Sequence, residues 1–358
     1  AVATYQSLAE RQPDGFLPDL ASSLNNQANH FAGLGRREEA LAAITRAVVT
    51  YQSLAEQQPD AFLPDLAMSL NNRSACLAGL GRWEEALAVI TRAVEIREAL
   101  AKQRPDAFLP YLATSLNNQS NRLADLGRWE EALAAVTRAV EIREALAKQR
   151  PDAFLPDLAT SLNNQSNRLA DLGRQEEALA GITRAVEICQ SLAKQRPDAF
   201  LPDLATSLNN QSNRLADLGR QEEAQAAVTR AVEIREALAK QRPDAFLPDL
   251  ASSLNNQSNR LADLGRQEEA LAGITRAVEI YQSLAEQQPD AFLPDLATSL
   301  NNQAVHFAGL RRQEEALAAV TRAVATYQSL AEQRPEVFTD DLKRALQLHE
   351  VLGQLPEE

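Results

Sequence analysis

A period of 46 residues governs this chain. The segment Ala139–Arg184 returns as Ala231–Arg276 with one change, Thr160 becoming Ser252. The motif SLNN places its first Asn at Asn25, Asn71, Asn117, Asn163, Asn209, Asn255 and Asn301. Self-similarity of this length belongs to stacked-repeat architectures, in which one unit buries its apolar face only against the next. The expectation is one solenoid over residues 1–358. Its units are 1–46, 47–92, 93–138, 139–184, 185–230, 231–276 and 277–322, and 323–358 form a last helix and C-terminal cap. Ala1–Glu10 repeats Ala323–Glu332, so residues 1–11 read as a truncated second helix of a preceding unit. The chain therefore reads as a fragment of a longer protein.

Each period carries two helical signals. In the third unit Leu109, Leu112, Leu116, Leu123 and Leu126 share one stripe at helical spacing. Pro110 fits a first turn, where a missing N–H is harmless, and Asp106 fits an N-cap. Gly127 supplies the left-handed residue that ends this helix. Arg128, Trp129, Glu130 and Glu131 open the second helix, with the acids where the helix dipole favours them. Its apolar positions are Leu133, Val136, Val140 and Leu146, with small Ala132 and Ala139 for close approach, and Gln149, Arg150 and Pro151 stop it. With no strand pattern anywhere, the fold class is all-α, built from stacked antiparallel helix pairs.

Composition removes several classes of function. A net charge of −13 counts against nucleic acid and against an anionic membrane surface, both of which attract basic proteins. No apolar run approaches the ~20 residues that span a bilayer. His30, His306 and His349 lie far apart in a stacked array, so no metal site is expected. Cys76 and Cys189 stand more than two units apart. No disulfide is expected, and the usage fits a reducing, cytoplasmic setting. Phosphate-binding glycine loops, HExxH and GxSxG are missing. The EEAL acids read as helix-start residues, and the chain as neither an enzyme nor a cofactor carrier.

The residues Leu126–Ile142, with their Gly127, Trp129, Ala132 and Ala139, resemble tetratricopeptide repeats. LNN followed by LGR and EEAL is most similar to the long repeats of kinesin light chains and of bacterial and fungal arrays. The resemblance extends over essentially the whole chain. It implies a right-handed superhelical α-solenoid whose first helices line a concave groove that holds a peptide or partner helix. Two features depart from it. The period exceeds the usual 34 or 42 residues, and Gln27, Gln119, Gln165, Gln211, Gln257 and Gln303 (Arg73 in the second unit) stand where the family has an apolar side chain. That Gln row either turns partly to solvent or forms a ladder from unit to unit.

By the resemblance, the partner-binding candidates are the second Asn of each LNN: Asn26, Asn72, Asn118, Asn164, Asn210, Asn256 and Asn302. Asn121, Asn167, Asn213 and Asn259 join them, with Arg122, Arg168, Arg214 and Arg260 adding selectivity. An amide offers both donor and acceptor and so bonds a peptide backbone whatever its sequence. The competing reading makes the LNN amides architectural, fixing the stacking angle. The arginines sit three residues before Asp125, Asp171, Asp217 and Asp263, the spacing of ion pairs on a solvated helix face. Trp83 and Trp129 read as packing aromatics near the turn. Arg311 replaces the turn glycine, at a cost of about 1 kcal/mol if that position is left-handed.

The function expected is protein–protein interaction, in the arm of a larger signalling or sensor protein. The alternative is a structural spacer or self-associating scaffold, because near-identical units present near-identical surfaces.

Overall fold

The computed structural model describes residues 1–354 and divides into two compact units, Ala1–Gly173 and the remainder from Arg174. The first unit contains α1 (Val2–Arg11), α2 (Pro13–Gly33), α3 (Arg37–Gln57), α4 (Pro59–Gly79), α5 (Trp83–Gln103), α6 (Pro105–Asp125), α7 (Trp129–Gln149) and α8 (Pro151–Asp171). The second contains α9 (Gln175–Gln195), α10 (Pro197–Asp217), α11 (Gln221–Gln241), α12 (Pro243–Asp263), α13 (Gln267–Gln287), α14 (Pro289–Gly309), α15 (Gln313–Gln333) and α16 (Pro335–Gly353). No strand occurs among the described residues.

Two kinds of junction alternate. Even helices hand over to odd ones through a glycine turn: Gly127 sits at φ 69°, its N–H donates to the Ala124 carbonyl, and the Arg128 N–H donates to the Leu123 carbonyl. This is a Schellman closure, which satisfies the carbonyls left open at a helix end. Arg311 adopts the same conformation at φ 58°, as its place in the repeat required. Odd helices hand over to even ones through a single residue. Arg150 takes the extended conformation favoured before proline (φ −137°, ψ 76°), and its guanidinium lies 4.8 Å over the Phe154 ring.

This second junction corrects the expected helix start. Helix α6 begins at Pro105 with Arg104 as N-cap, so Asp106 is a first-turn acid rather than the cap, and Pro110 lies inside the helix. The carbonyl that Pro110 leaves without its helical donor belongs to exposed Asp106, where water can reach it. That limits the usual penalty of an interior proline.

The core is aliphatic and tight. Leu116, Ala132, Val136 and Ala139 are fully enclosed, and the alanines let neighbouring helices close on one another. Burying a Leu-sized side chain stabilises by roughly 1.5–3 kcal/mol, so the same register filled in every repeat holds the stack together. Within each unit successive even helices touch directly: α2, α4, α6 and α8 in the first, and α10, α12, α14 and α16 in the second. Successive odd helices stand farther apart and meet only through long side chains, as where Arg138 of α7 donates to Glu98 of α5 at 2.6 Å. The even layer is therefore the more closely spaced, inner one.

Candidate functional site

The inner face is one helical stripe per even helix. On α6 it runs Tyr111, Thr114, Asn118, Asn121 and Asp125, residues exposed or half-buried while Leu112, Ser115, Leu116 and Asn117 turn inward. The expected binding residues lie on this stripe, but their amides are not equivalent.

The first Asn of LNN is structural. Asn117 is buried and exchanges hydrogen bonds with Ser161 of the next even helix: its Nδ2 donates to Ser161 Oγ at 3.0 Å and its Oδ1 accepts from that hydroxyl at 3.3 Å. Asn71 does the same with Ser115, and Asn255 Nδ2 donates to Ser299 at 2.7 Å. The second Asn is partly engaged. Asn72 donates to Asn25 Oδ1 and Asn118 to Asn71 Oδ1, each at 3.1 Å, and Asn302 to Asn255 Oδ1 at 3.5 Å. Asn26 is exposed, whereas Asn164, Asn210 and Asn256 are half-buried like Asn118.

Asn121, Asn167, Asn213 and Asn259 differ from both rows. They are half-buried on the same face, and their side chains make no hydrogen bond to another described residue. Their amides remain open at the end of each helix. Beside them Arg122, Arg168, Arg214 and Arg260 approach Asp125, Asp171, Asp217 and Asp263 at 3.2, 3.4, 3.4 and 3.5 Å. These are not solvated-face pairs, since the arginine side chains are only 15–19% exposed. Their Nε–H groups make no aligned hydrogen bond, so the contacts are ionic. Burial pulls the Arg122 pKa down, and Asp125 opposes that shift.

The Gln row combines its two readings. Gln119, Gln165, Gln211, Gln257 and Gln303 keep some exposure or lie just beneath the surface. Each donates its Nε2 to a Thr of the preceding odd helix, 3.0–3.2 Å away: Thr91, Thr137, Thr183, Thr229 and Thr275. The row bonds unit to unit through threonine, not Gln to Gln.

The sequence reading missed a second row, beneath the inner face. Arg97, Arg143 and Arg235 project from odd helices and are only 4–6% exposed. Arg143 Nη1 donates to the Asp157 carbonyl at 2.7 Å and to Ser161 Oγ at 2.6 Å, and Nη2 donates to Thr114 Oγ1 at 3.2 Å. It thus bridges α6 and α8 from below. Arg235 joins α10 and α12 in the same way through Asp249, Ser253 and Thr206. Burial pushes the Arg97 pKa down to about 10, which leaves it a cation at neutral pH. Other repeats fill this slot with Tyr51, Cys189, Tyr281 and Tyr327. Tyr281 O–H donates to the Pro248 carbonyl at 3.2 Å.

Fourteen residues after each slot comes the acid that opens the face: Asp65, Asp157, Asp203, Asp249 and Asp295, with Tyr111 in that place on α6. Burial pushes the carboxyls of Asp65, Asp203 and Asp295 up. Asp203 and Asp295 still meet solvent, but neighbouring helices crowd them. One surface depression lies elsewhere, lined chiefly by odd-helix residues such as Thr275, Arg276 and Glu279. No group of His, Cys, Asp and Glu among the described residues could hold a metal ion, and no described helix is long and apolar enough to cross a membrane.

Paired antiparallel helices repeated along the chain, with a polar stripe on the inner layer, define a helical-repeat scaffold protein. Tetratricopeptide-repeat family profiles match residues 65–145 and 204–244. The repeats outside these segments are near copies of those within them, and the chain is a tetratricopeptide-repeat protein. No curated protein matches it significantly. Among solved structures it is similar to aspartyl phosphate phosphatase F from Bacillus subtilis (TM-score 0.60, 15% identity, 90% of this chain and 74% of that one). It is also similar to the apo form of RapI (0.59, 14%, 87% and 99%) and to BtubC (BKLC) from P. vanneervenii (0.55, 21%, 69% and 92%). At such identities the likeness is one of fold.

Proposed function

We propose that this chain is a protein-interaction module in which each unit holds an extended segment of a partner along its even helices. The observation that carries the reading is the row Asn121, Asn167, Asn213 and Asn259. These amides stand half-buried on the inner face with donors and acceptor unclaimed by the fold. A half-desolvated amide gains most from a partner that supplies both hydrogen-bond types, and a peptide backbone does so at every residue. Asn72, Asn118 and Asn302, each with one amide hydrogen held by the stack, act as the second shelf of this face. Arg122, Arg168, Arg214 and Arg260, tied to their aspartates, border the face and exclude water.

The test is a peptide-array screen on the intact chain and on Asn121→Ala/Asn167→Ala/Asn213→Ala/Asn259→Ala, with helicity and melting compared first. Array sequences bound by the parent and lost by the variant support backbone capture. Equal binding by both forms removes the amide row from the site. Concentration-dependent mass without any peptide capture would favour the self-associating scaffold, for which the buried Asn117–Ser161 type of inter-repeat bond is the supporting feature.

A further inference from the structure

We infer that the inner face of the second unit accepts an extended cationic segment, with two Lys or Arg residues about six positions apart that pair with Asp203 and Asp295. This deepens the groove reading above and rests on it.

Three consecutive even helices, α10, α12 and α14, open their faces with Asp203, Asp249 and Asp295, all solvent-accessible. What lies beneath them alternates. Under Asp249 sits the buried guanidinium of Arg235, 2.8 Å from the Asp249 carbonyl oxygen and close enough to feel the carboxylate charge. That acid has a buried cation beneath it, near enough for attraction though not in ion-pair contact. Under Asp203 the slot holds Cys189, whose Sγ lies 3.6 Å from Ser207 Oγ. Under Asp295 it holds Tyr281, whose hydroxyl is committed to the Pro248 carbonyl. Neither supplies a positive charge, and neither Asp203 nor Asp295 forms an ion pair among the described residues. The nearest acid beyond them on the face, Asp341 of α16, is already paired with Arg344 at 2.5 Å.

The face thus reads bare carboxylate, compensated carboxylate, bare carboxylate. A crowded carboxylate without a cation lies higher in free energy than one with a cation, and an incoming Lys or Arg removes that difference. Spacing sets the partner's conformation. Packed helices lie about 8–10 Å apart, so two steps place Asp203 and Asp295 roughly 16–20 Å from each other. An extended chain advances about 3.3 Å per residue, which makes five to six residues. The stretch between the two cations passes over Asp249, with its buried cation beneath, and therefore prefers to be uncharged. The open amides of Asn213 and Asn259 lie about 15 Å further along the helices, at the other edge of the same face.

The test uses fluorescence anisotropy on the intact chain with three labelled nine-residue Ser/Thr/Gly peptides. They carry two Arg, two Gln or two Glu, six positions apart, and a fourth carries its Arg pair two apart. The expected result is binding of the six-spaced Arg peptide, with the Gln and closely spaced peptides about tenfold weaker and the Glu peptide unbound. Asp203→Asn/Asp295→Asn should weaken the Arg peptide about tenfold, to the level of the Gln peptide. Glu222→Gln/Glu268→Gln removes the same charge from the odd layer and should change binding less than twofold. The inference is overturned if the two double variants act alike, if Arg and Gln peptides bind equally, or if no peptide binds. Equal Arg and Gln binding that is lost in Asn213→Ala/Asn259→Ala would remove the charge assignment and leave the groove standing. Arg-peptide binding that needs the aspartates but not the asparagines is the expected pattern, since the two rows stand about 15 Å apart along the helices.

Discussion

Replacing Arg235 separates two roles that one buried guanidinium combines. It makes three hydrogen bonds, to the Asp249 carbonyl at 2.8 Å, Ser253 Oγ at 2.5 Å and Thr206 Oγ1 at 3.1 Å, at 5% exposure. Hydrogen bonds to a charged group contribute about 1.5–3 kcal/mol each, several kcal/mol in all. Taking the guanidinium out of water costs several kcal/mol in the opposite direction, so its net worth over a neutral side chain of similar bulk is near zero. Arg235→Tyr, which copies the neighbouring Tyr281 slot, should change stability by less than about 1 kcal/mol. Arg235→Ala leaves a cavity between α10 and α12 and should cost about 2–4 kcal/mol, as large-to-small core changes do. Ser253→Ala strands one guanidinium N–H and should cost about 1–3 kcal/mol in the parent. In the Arg235→Tyr background it should cost markedly less, a coupling that a double-mutant cycle measures directly. Repeat arrays open piecewise rather than all at once, so the readout is hydrogen exchange of α11 and α12 amides beside the global melt. If Arg235→Ala costs under 1 kcal/mol, or Arg235→Tyr costs as much as Arg235→Ala, the bridging account is wrong.

Three further outcomes follow, two from single positions and one from a pair. Arg311→Gly should stabilise by about 1 kcal/mol in denaturant melts, because the φ of 58° is strained for a side chain and free for glycine. His306 is 3% exposed, and burial lowers its pKa against the opposing pull of Asp263. The unfolded chain then holds more protons just below the ordinary value of ~6.5, so stability is full above that pH and falls as pH drops through the window below it. His306→Leu should flatten that part of the melting-temperature profile. For Asp203 and Asp295 the sign reverses: their pKa values are raised by burial, so stability is highest below the unfolded value of ~3.9 and declines as pH rises through the folded one. Asp203→Asn/Asp295→Asn should therefore melt higher than the parent at pH 7, with the gain vanishing near pH 4.

The sequence disclosed what periodicity can carry. Leu116, Leu123 and Val136 announced two helices per unit, and Gly127 its left-handed turn, because each signal is local. The helix start was misplaced because Pro105 and Pro110 both fit a first turn, and only the one-residue junction at Arg104 decides between them. Arg143 was passed over for a different reason. Hydropathy treats arginine as a surface residue, although this one falls three residues after Val140 and three before Leu146, on the buried stripe. The clue was the register: at the same place other repeats carry Tyr51, Cys189, Tyr281 and Tyr327, which are not surface choices. The asparagines illustrate the limit. Asn117, Asn118 and Asn121 are identical in chemistry, and only the position of Ser161 and Asn71 across the stack determines which amide is committed and which is open.

The slot residue also explains how near-identical repeats present unequal surfaces. Exchange of Arg for Tyr or Cys on an odd helix barely alters the outer outline of a unit, because that side chain is covered. It nevertheless changes the charge felt by an aspartate fourteen residues later on the opposite layer. Asp249 lies over a cation, whereas Asp203 and Asp295 do not. Duplication of a 46-residue unit followed by one buried substitution can therefore move a cation-seeking position along the face without disturbing the helix packing that displays it. The same logic predicts that Arg235→Tyr, tolerated by the fold, uncovers Asp249. A peptide carrying a third Arg midway between the other two should then bind the variant more tightly than the parent. Tighter binding to the parent would show that the charge beneath the face does not govern what lies upon it.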